Sequence, residues 1–337
     1  MDALSQADGL GEDLRQTMDV DIACAGFGPA MGGFLHTLTK AWSENPADPA
    51  FESAVAPGMP LQVVCYERAD DLAAAVSGVV TNARGIRGSF PDLKADEIPL
   101  ATEIRQERVL YLLDSIGASH RSFGLRAADT LLRILGPVAR VRDHAFELPW
   151  TPAFLHKRGG LLLSLGQFNQ WVATQLLSGG FAQIWPGTPV AQPLFTGQAV
   201  AGLRLADQGV DKHGAPAEGY LPGMDVQARL TVVGDGAVGA IGQAIDDVLG
   251  RPQGHARRDW ALGMKFLIEL PETAEPLQPG TIWHTLGYPE PEIFGFLYVH
   301  PDRLVSVGIV VPSWMHDPAR TAYRYLQHFM QHPFGDT

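Results

Sequence analysis

The stretch that decides the fold of this chain is Asp19-Val20-Asp21-Ile22-Ala23-Cys24-Ala25-Gly26-Phe27-Gly28-Pro29-Ala30-Met31-Gly32-Gly33. It predicts a short buried strand, a glycine turn and a helix that runs to about Trp42. Gly26 permits a tight exit from the strand, and Gly28 has no side chain to keep a pyrophosphate away from the backbone. Pro29 suits the first helical position, where its missing N–H group costs nothing. The turn is therefore the first half of a dinucleotide-binding fingerprint.

The fingerprint G-x-G-x-x-G departs from its pattern at the third glycine. Met31 stands there, and Gly32 and Gly33 follow. The third glycine normally lets the helix approach the strand closely. We therefore expect either a helix that stands off slightly or one in which Gly32 takes over the role.

A second strand strengthens this interpretation. Residues 61–68 form an apolar, β-branched run that ends in Glu67 and Arg68, where a dinucleotide-binding unit places the carboxylate that binds the adenosine ribose. The separation from Gly28 to Glu67 exceeds the usual ~20 residues, and a Pro/Ala-rich excursion from Ser43 to Pro60 explains the excess. The alternative is a plain α/β core turn with an exposed Glu67.

A second glycine turn lies farther along the chain. An alternating run from Asp225 to Val233 ends in Gly234-Asp235-Gly236, and a helix to about Leu249 is predicted to follow. Alone, this pattern is a simple strand–turn–helix joint. Together with the first turn and Glu67 it indicates FAD rather than NAD, because NAD domains rarely need a second glycine turn fed by a three-stranded meander.

Length and charge set further bounds. A chain of 337 residues predicts two domains, or one interrupted by another. The formal net charge of -12 argues against a nucleic-acid partner, whose phosphates would repel the chain. No apolar run reaches the ~20 residues that span a bilayer, and the N-terminus is acidic and polar, so we expect a cytoplasmic protein, with attachment to the inner face of a membrane left open.

The two cysteines, Cys24 and Cys65, lie inside the predicted strands. We predict that they are buried small hydrophobic residues. Two thiols cannot make a four-thiolate iron–sulfur or zinc site, so no metal site is predicted in this chain.

The predicted fold class is α/β, a Rossmann-like FAD-binding domain with an inserted second domain built on an antiparallel sheet. The predicted segments are a flexible lead over 1–18, the FAD-binding domain over 19–83 and 159–250, a helical or loop excursion over 84–158, and the sheet domain over 251–337.

Two stretches of the excursion carry specific expectations. From Glu103 to Ala118, apolar residues recur at helical spacing and predict an amphipathic helix. From Phe146 to Leu155 the sequence is apolar and aromatic, which favours a membrane-facing segment. The alternative for the second stretch is a loop or hairpin against the protein's own core.

Several stretches, taken in order, resemble the electron-transfer-flavoprotein–ubiquinone oxidoreductases. They are GFGPA at 26–30, CYERADD at 65–71, LSLGQFNQWVATQL at 163–176, DKHGAPAEGYLPGMDVQARLTVVGDG at 211–236, GMKFLIELP at 263–271, PGTIWHTLGYP at 279–289, FGFLYVHPDRLVSVGIVVP at 294–312 and YRYLQHFMQHP at 323–333. The resemblance covers most of the chain outside roughly residues 84–158.

The resemblance implies FAD in a fold like that of glutathione reductase and p-hydroxybenzoate hydroxylase, with electron-transfer flavoprotein as donor and a membrane quinone as acceptor. It implies cofactor contacts from Gly26, Gly28, Pro29, Ala30, Glu67, Arg68, Ser77, Gln167, Val190, Gly234, Asp235 and Gly236. Among these, Ser77 and Gln167 would lie along the flavin, and Val190 would offer backbone to the adenine. The implied quinone residues are Gly295, Phe296, Leu297 and Tyr298.

No side-chain catalyst is predicted, because a flavin carries the chemistry itself. Tyr298 and His300 remain open either as hydrogen-bond donors to a quinone or as sheet packing.

Members of the family continue beyond the helix that is predicted to end near Gln331, and that part carries a last glycine motif and the cysteines of a [4Fe–4S] cluster. We therefore expect this chain to lack that C-terminal part and the cluster ligands. One alternative keeps the fold but reduces or hydroxylates a lipid-like or aromatic small molecule with NAD(P)H. Another is a non-enzymatic flavoprotein module completed by a partner chain.

Overall fold

A computed structural model describes residues 15–117, 119–136, 141–250, 260–315, 317 and 319–336. The chain divides into two compact units. The first comprises Met1–Ala75, Gly88–Pro91 and Leu165–His255, and the second comprises Val76–Arg87, Asp92–Ser164 and Ala256–Thr337. Most of the predicted flexible lead, residues 1–14, lies outside the described residues.

The strands are, in chain order, β1 (Thr17–Ala25), β2 (Val63–Tyr66), β3 (Val79–Thr81), β4 (Thr102–Glu103), β5 (Gln106–Leu112), β6 (Val141–Arg142), β7 (Ala145–Glu147), β8 (Leu161–Leu163), β9 (Ala182–Trp185), β10 (Val190–Thr196), β11 (Ala199–Leu205), β12 (Gln208–Val210), β13 (Pro216–Leu221), β14 (Asp225–Val233), β15 (Ala261–Glu269), β16 (Thr281–Leu286), β17 (Phe294–Val299) and β18 (Leu304–Pro312). The helices are α1 (Pro29–Glu44), α2 (Arg84–Ser89), α3 (Phe123–Ile134), α4 (Leu165–Gly179), α5 (Ala240–Leu249) and α6 (Ala322–Met330).

The first unit is built on a sheet of order β10-β11-β14-β1-β2-β9. Strand β1 pairs in parallel with both β2 and β14, and β2 pairs in parallel with β9. Strands β10, β11 and β14 form an antiparallel meander. Residues 20–25 of β1 are all buried, as expected for a central parallel strand that is covered on both faces. The predicted Rossmann-like domain is therefore confirmed.

The excursion from Ser43 to Pro60 is tied to the sheet by one buried carboxylate. Asp21 in β1 is 4% exposed. Its Oδ1 accepts the N–H of Ala54 at 2.9 Å, and its Oδ2 accepts the N–H of Gln62 at 2.8 Å. A buried carboxylate needs such donors, so the long connection returns to β2 in a fixed position.

The second unit contains a seven-stranded sheet of order β15-β18-β17-β16-β5-β7-β6. The four predicted strands β15 to β18 are present, and their mutual pairings are antiparallel. Strand β16 then pairs in parallel with β5. Residues 92–164 thus group with the second unit and supply three strands to its sheet.

The amphipathic helix predicted from Glu103 to Ala118 is wrong, because residues 106–112 form strand β5. Val109, Leu110 and Leu112 are buried together. Strand β5 pairs with β16 on one side and with β7 on the other. Pairing between distant segments therefore outweighs the local spacing of apolar residues.

The core of the second unit lies on both faces of this sheet. On one face Phe296 and Tyr298 pack with Ile104 and Leu162, the latter on β8 of a small sheet of order β3-β8-β4. On the other face helix α6 contributes Tyr325, Leu326 and Phe329 to the larger core cluster.

An ion pair fixes the approach of the chain to β1. Arg15 lies with Nη1 2.6 Å from Oδ1 of Asp207 and with Nη2 3.0 Å from Oδ2. Asp207 also accepts the N–H of Gly223 at 2.7 Å and the hydroxyl of Tyr220 at 3.1 Å. The hydrogen bond from Arg15 has the largest effect, and together these donors lower the pKa of Asp207 to about 2.

We predict that Asp207→Asn lowers the free energy of unfolding at neutral pH by about 1 kcal/mol, since solvent screens this partly exposed pair. The folded-state pKa lies below the unfolded value of about 3.9, so the stabilisation is present above pH 4 and is lost as the pH falls toward 2. Urea unfolding of both chains between pH 7 and pH 2 measures the difference. A difference that stays constant over this range would contradict the prediction.

Candidate functional site

The first glycine turn is held between two neighbouring strands. Gly26 follows β1 with a φ of +83°, a conformation that favours glycine. Its N–H donates to the carbonyl of Tyr66 at the end of β2, at 2.8 Å. On the other side, the N–H of Gly234 donates to the carbonyl of Ala25 at 2.8 Å. The two predicted glycine turns therefore meet at the carboxyl edge of the sheet.

The contact between the turns leaves no room for a side chain at Gly26. A Cβ atom there would lie 2.7 Å from the carbonyl oxygen of Gly234 and 2.9 Å from the Cα of Asp235. The absence of a side chain is thus required twice, by the φ angle and by the neighbouring backbone.

Glu67 joins this edge from β2. Its Oε2 accepts the N–H of Phe27 at 2.6 Å, and its Oε1 accepts the N–H of Ala69 at 2.8 Å. The side chain therefore points to the first glycine turn, unlike the exposed Glu67 of the plain-turn alternative. Each carboxylate oxygen keeps a further lone pair for a hydroxyl donor.

The N-terminus of α1 is open. Gly28 caps it in an extended conformation without any side-chain hydrogen bond, and Pro29 and Ala30 are exposed. A Cβ at Gly28 would meet only the carbonyl oxygen of Gly234, at 4.0 Å. Backbone N–H groups at such a terminus favour an anion, so the space above Gly28 suits a pyrophosphate.

The departure at Met31 is accommodated by the second glycine turn. Met31 is 1% exposed, and a Cβ at Gly234 would lie 3.1 Å from its Cε. A Cβ at Gly32 would lie 3.0 Å from Cγ1 of Val172 in α4. Gly32 therefore packs closely against helix α4 rather than against β1, and Met31 fills the space that Gly234 leaves.

Asp235 is engaged with the helix that follows it. Its Oδ2 accepts the N–H groups of Ile241 and Gly242 at 2.8 and 3.2 Å. The carboxylate thus caps α5 and holds the turn from Gly234 to Gly236 in place.

Two other predicted residues lie in segments that contact Glu67 or its loop. The half-buried Gln167 is in the first turn of α4, where Gly166 packs so closely on the carbonyl of Ala73 that a Cβ has no room. Val190 begins β10, shortly after Thr188, whose N–H donates to the carbonyl of Glu67 at 2.9 Å.

Arg68 and Ser77 complete the predicted set of cofactor residues. Arg68 has an exposed side chain. Ser77 lies in the second unit.

Lys265 was missed by the sequence analysis. Its Nζ donates to the carbonyl of Gly78, next to Ser77, at 3.0 Å, and burial lowers the pKa of this lysine to about 8. In the sequence, the feature that could have revealed this contact was a single lysine within the otherwise apolar run of β15. The lysine holds the loop of Ser77 against the large sheet.

His300 is fully engaged. Its Nδ1 lies 3.2 Å from the carbonyl oxygen of Leu100, and its Nε2 lies 2.9 Å from Oγ of Ser306. Burial lowers the pKa of His300. His300 was left open either as a hydrogen-bond donor to a quinone or as sheet packing, and its contacts correspond to sheet packing.

The four residues predicted for a quinone do not share one surface, because successive residues of a strand face opposite sides. Phe296 and Tyr298 are buried with their rings 4.6 Å apart. A Cβ at Gly295 would lie 2.7 Å from Phe329 of α6, on the other side of the sheet. Leu297 is half-buried.

Cys24 and Cys65 are fully buried neighbours in β1 and β2, and burial raises the pKa of both thiols. Among the described residues, no three His, Cys, Asp or Glu side chains could hold a metal ion. These residues do not fit a [4Fe–4S] cluster. In the same part of the chain, no helix is long and apolar enough to cross a membrane.

Comparisons with known proteins agree with the resemblance. A family model described as "ETF-QO, ubiquinone-binding" matches residues 260–337. The mitochondrial electron transfer flavoprotein-ubiquinone oxidoreductase of Arabidopsis thaliana is 32% identical over 198 residues, which are 57% of this chain and 30% of that protein. The Pseudomonas aeruginosa protein of the same name is 25% identical over 327 residues, 95% of this chain and 52% of its own length. The chain thus spans about half or less of these relatives.

A solved structure of a geranylgeranyl bacteriochlorophyll reductase-like protein from Thermoplasma acidophilum is similar with a TM-score of 0.57. It is 13% identical, and the match covers 94% of this chain and 62% of that one. At this identity the likeness concerns the fold alone.

We predict opposite outcomes for the two glycines of the first turn. Gly26→Ala should destabilise the chain by about 2 kcal/mol or more, because the new Cβ meets backbone at a positive φ. Gly28→Ala should lower the free energy of unfolding by no more than about 1 kcal/mol, because its Cβ meets no close atom and only the poorer N-cap of α1 counts against it. Chemical unfolding measures both, and equal losses would contradict the close contact between the turns.

Proposed function

We propose that this chain, which is similar to the electron-transfer-flavoprotein–ubiquinone oxidoreductases, binds FAD and takes part in passing electrons from an electron-transfer flavoprotein to a membrane quinone. When bound, the flavin supplies the redox chemistry. The residues of the first unit then bind and orient it.

The observation that carries the cofactor proposal is the meeting of the two glycine turns beside Glu67. The open N-terminus of α1 at Gly28 offers N–H groups to the pyrophosphate. The carboxylate of Glu67, already oriented by the N–H groups of Phe27 and Ala69, offers its remaining lone pairs to the ribose hydroxyls. Gly234 to Gly236 bring backbone to the same edge.

We predict that the purified chain binds FAD and that Gly28→Ala weakens this binding by about tenfold or more, because the methyl group keeps the pyrophosphate from the backbone. Fluorescence titration with FAD measures the affinity. Gly124→Ala in α3, another glycine with open space at Cβ, is the control and should bind FAD as the parent chain does. Unchanged affinity in Gly28→Ala would contradict the proposed cradle.

The reaction class has its own test. Electron-transfer flavoprotein in its reduced form should reduce the bound flavin, and NADH or NADPH alone should not. Reduction by the nicotinamides without a protein donor would favour the alternative, a reductase or monooxygenase of a lipid-like or aromatic small molecule. Absorbance of the flavin during anaerobic mixing distinguishes the two.

A membrane surface as partner is supported by helix α3, because its outward side exposes large apolar residues, unlike the polar outward side of an ordinary surface helix. Phe123, Leu131 and Ile134 lie on one face and are 89, 57 and 73% exposed. On the opposite side Asp129 is buried in an ion pair with Arg121, at 2.5 Å. The sequence analysis favoured a membrane-facing role for the segment from Phe146 to Leu155 and gave no such role to this helix.

The buried pair is well supplied with partners. The guanidinium of Arg121 also donates to the hydroxyl of Tyr111 and to the carbonyls of Leu112 and Gly287. The helix is therefore anchored through its charged side, which leaves its apolar side for another surface. We propose that this side enters the headgroup region of a bilayer, together with Trp150 and Phe154.

We predict that Leu131→Glu with Ile134→Glu reduces flotation with phosphatidylcholine vesicles by about tenfold or more, because two charges replace exposed apolar groups that enter the bilayer. Val248→Glu with Leu249→Glu, at exposed apolar positions of α5, is the matched control and should float as the parent chain does. Equal flotation of all three chains would contradict the role of α3.

A further inference from the structure

A cationic cavity of about 440 Å³ opens on the surface of the second unit. Residues at the start of β5 and in the loop that follows β7 line it, among them Arg105, Glu107, Arg108, Thr151, His156 and Arg158. Apart from Thr151, which belongs to the stretch Phe146 to Leu155, none of these residues was assigned a role by the sequence analysis or the proposed function.

The floor of the cavity is a buried carboxylate that fixes the loop. The side chain of Glu107 is 3% exposed. Its Oε1 accepts the N–H of Lys157 at 2.9 Å, and its Oε2 lies 2.9 Å from Nδ1 of His156. The imidazole of His284, itself buried, lies 3.6 Å from Oε1 on the inner side. The loop that carries Arg158 is therefore held on β5, and the charge of Glu107 faces groups that can donate to it.

The walls carry an excess of positive charge. Arg108 is paired with Glu147 through two hydrogen bonds of 2.8 and 2.5 Å. Arg105 and Arg158 are exposed, and their guanidinium groups have no hydrogen-bond partner among the described residues. Two free guanidinium forks on a chain of net charge -12 match the oxygen atoms of a phosphate group.

The loop after β7, which carries Arg158, also indicates the source of the phosphate. Trp150 and Phe154, which flank Thr151 in sequence, are 63 and 75% exposed. Aromatic side chains of this kind sit at the headgroup level of a bilayer, where lipid phosphates lie. We propose that the cavity binds the phosphate of an anionic phospholipid, so that the lipid headgroup docks beside the inserted aromatic residues. This inference rests on the proposed attachment to a membrane.

The test compares two kinds of vesicle, phosphatidylcholine alone and phosphatidylcholine mixed with phosphatidylglycerol, in flotation at about 0.15 M salt. The parent chain should bind the mixed vesicles more tightly. Arg105→Gln with Arg158→Gln should lose about tenfold of this binding, because the two cations that the anionic surface attracts are removed. Its binding to phosphatidylcholine alone should be unchanged. Thermal melting first establishes that each variant has the same melting temperature as the parent chain.

The control removes the same charge elsewhere. Lys212→Gln with Arg324→Gln changes two exposed cations outside the cavity and should retain the preference for mixed vesicles. An equal loss in both double variants would overturn the proposal in favour of diffuse attraction. Equal binding of the parent chain to both vesicles would overturn it while leaving membrane attachment intact, whereas binding to neither would defeat the attachment as well.

Inorganic phosphate distinguishes the remaining source. Calorimetric titration should give no saturable binding at millimolar phosphate, because the free ion lacks the acyl chains that place it beside Trp150 and Phe154. Saturable binding that disappears in Arg105→Gln with Arg158→Gln, without any gain from phosphatidylglycerol, would overturn the lipid assignment and make a soluble phosphate compound the ligand.

Discussion

The hydrogen bond from the N–H of Phe27 to Oε2 of Glu67 is the interaction on which the first unit's site depends. It ties the loop between β1 and α1 to the end of β2, and so it fixes the direction in which α1 begins. A carboxylate beside the proposed pyrophosphate site would ordinarily repel the anion. Here two backbone N–H groups share the negative charge, and such charge-assisted bonds are short and strong. The acid can therefore stand beside an anion site and still offer oxygen atoms to hydroxyl groups.

The glycines of the two turns act as one steric unit. The backbone of Gly234 and Asp235 occupies the space that a Cβ at Gly26 would take. In the same way, a Cβ at Gly234 would crowd the side chain of Met31. A methionine at the third fingerprint position is accommodated because its flexible side chain fills irregular gaps. The fingerprint is thus better understood as a limit on the space between β1, α1 and the second turn than as three fixed glycines.

Local patterns predicted the first unit well, since β1 and β14 each end in a glycine turn and β2 is a continuous apolar run that leads to Glu67. The second unit was predicted less well. Strand β5 carries Val109 and Leu112 at helical spacing, and only its pairing with the distant β16 makes it a strand. Nor does spacing reveal that Asp129 is buried and Phe123 exposed in α3, because this depends on the position of Arg121 outside the helix. Lys265 was overlooked for a similar reason, as its partner carbonyl at Gly78 is distant in sequence.

The exposed apolar side chains of the second unit indicate how much free energy the proposed membrane attachment could provide. Burying a large apolar side chain contributes roughly 1.5–3 kcal/mol, so Phe123, Leu131, Ile134, Trp150 and Phe154 together would provide several kcal/mol even if each were only partly inserted. The net charge of -12 opposes approach to an anionic bilayer. A cationic cavity beside the aromatic residues offsets this repulsion locally, where the distance to the lipid phosphates is shortest. At Trp150 and Phe154, which flank the cavity residue Thr151 in sequence, apolar insertion and local charge then act at the same place, which favours one orientation of the second unit on the surface.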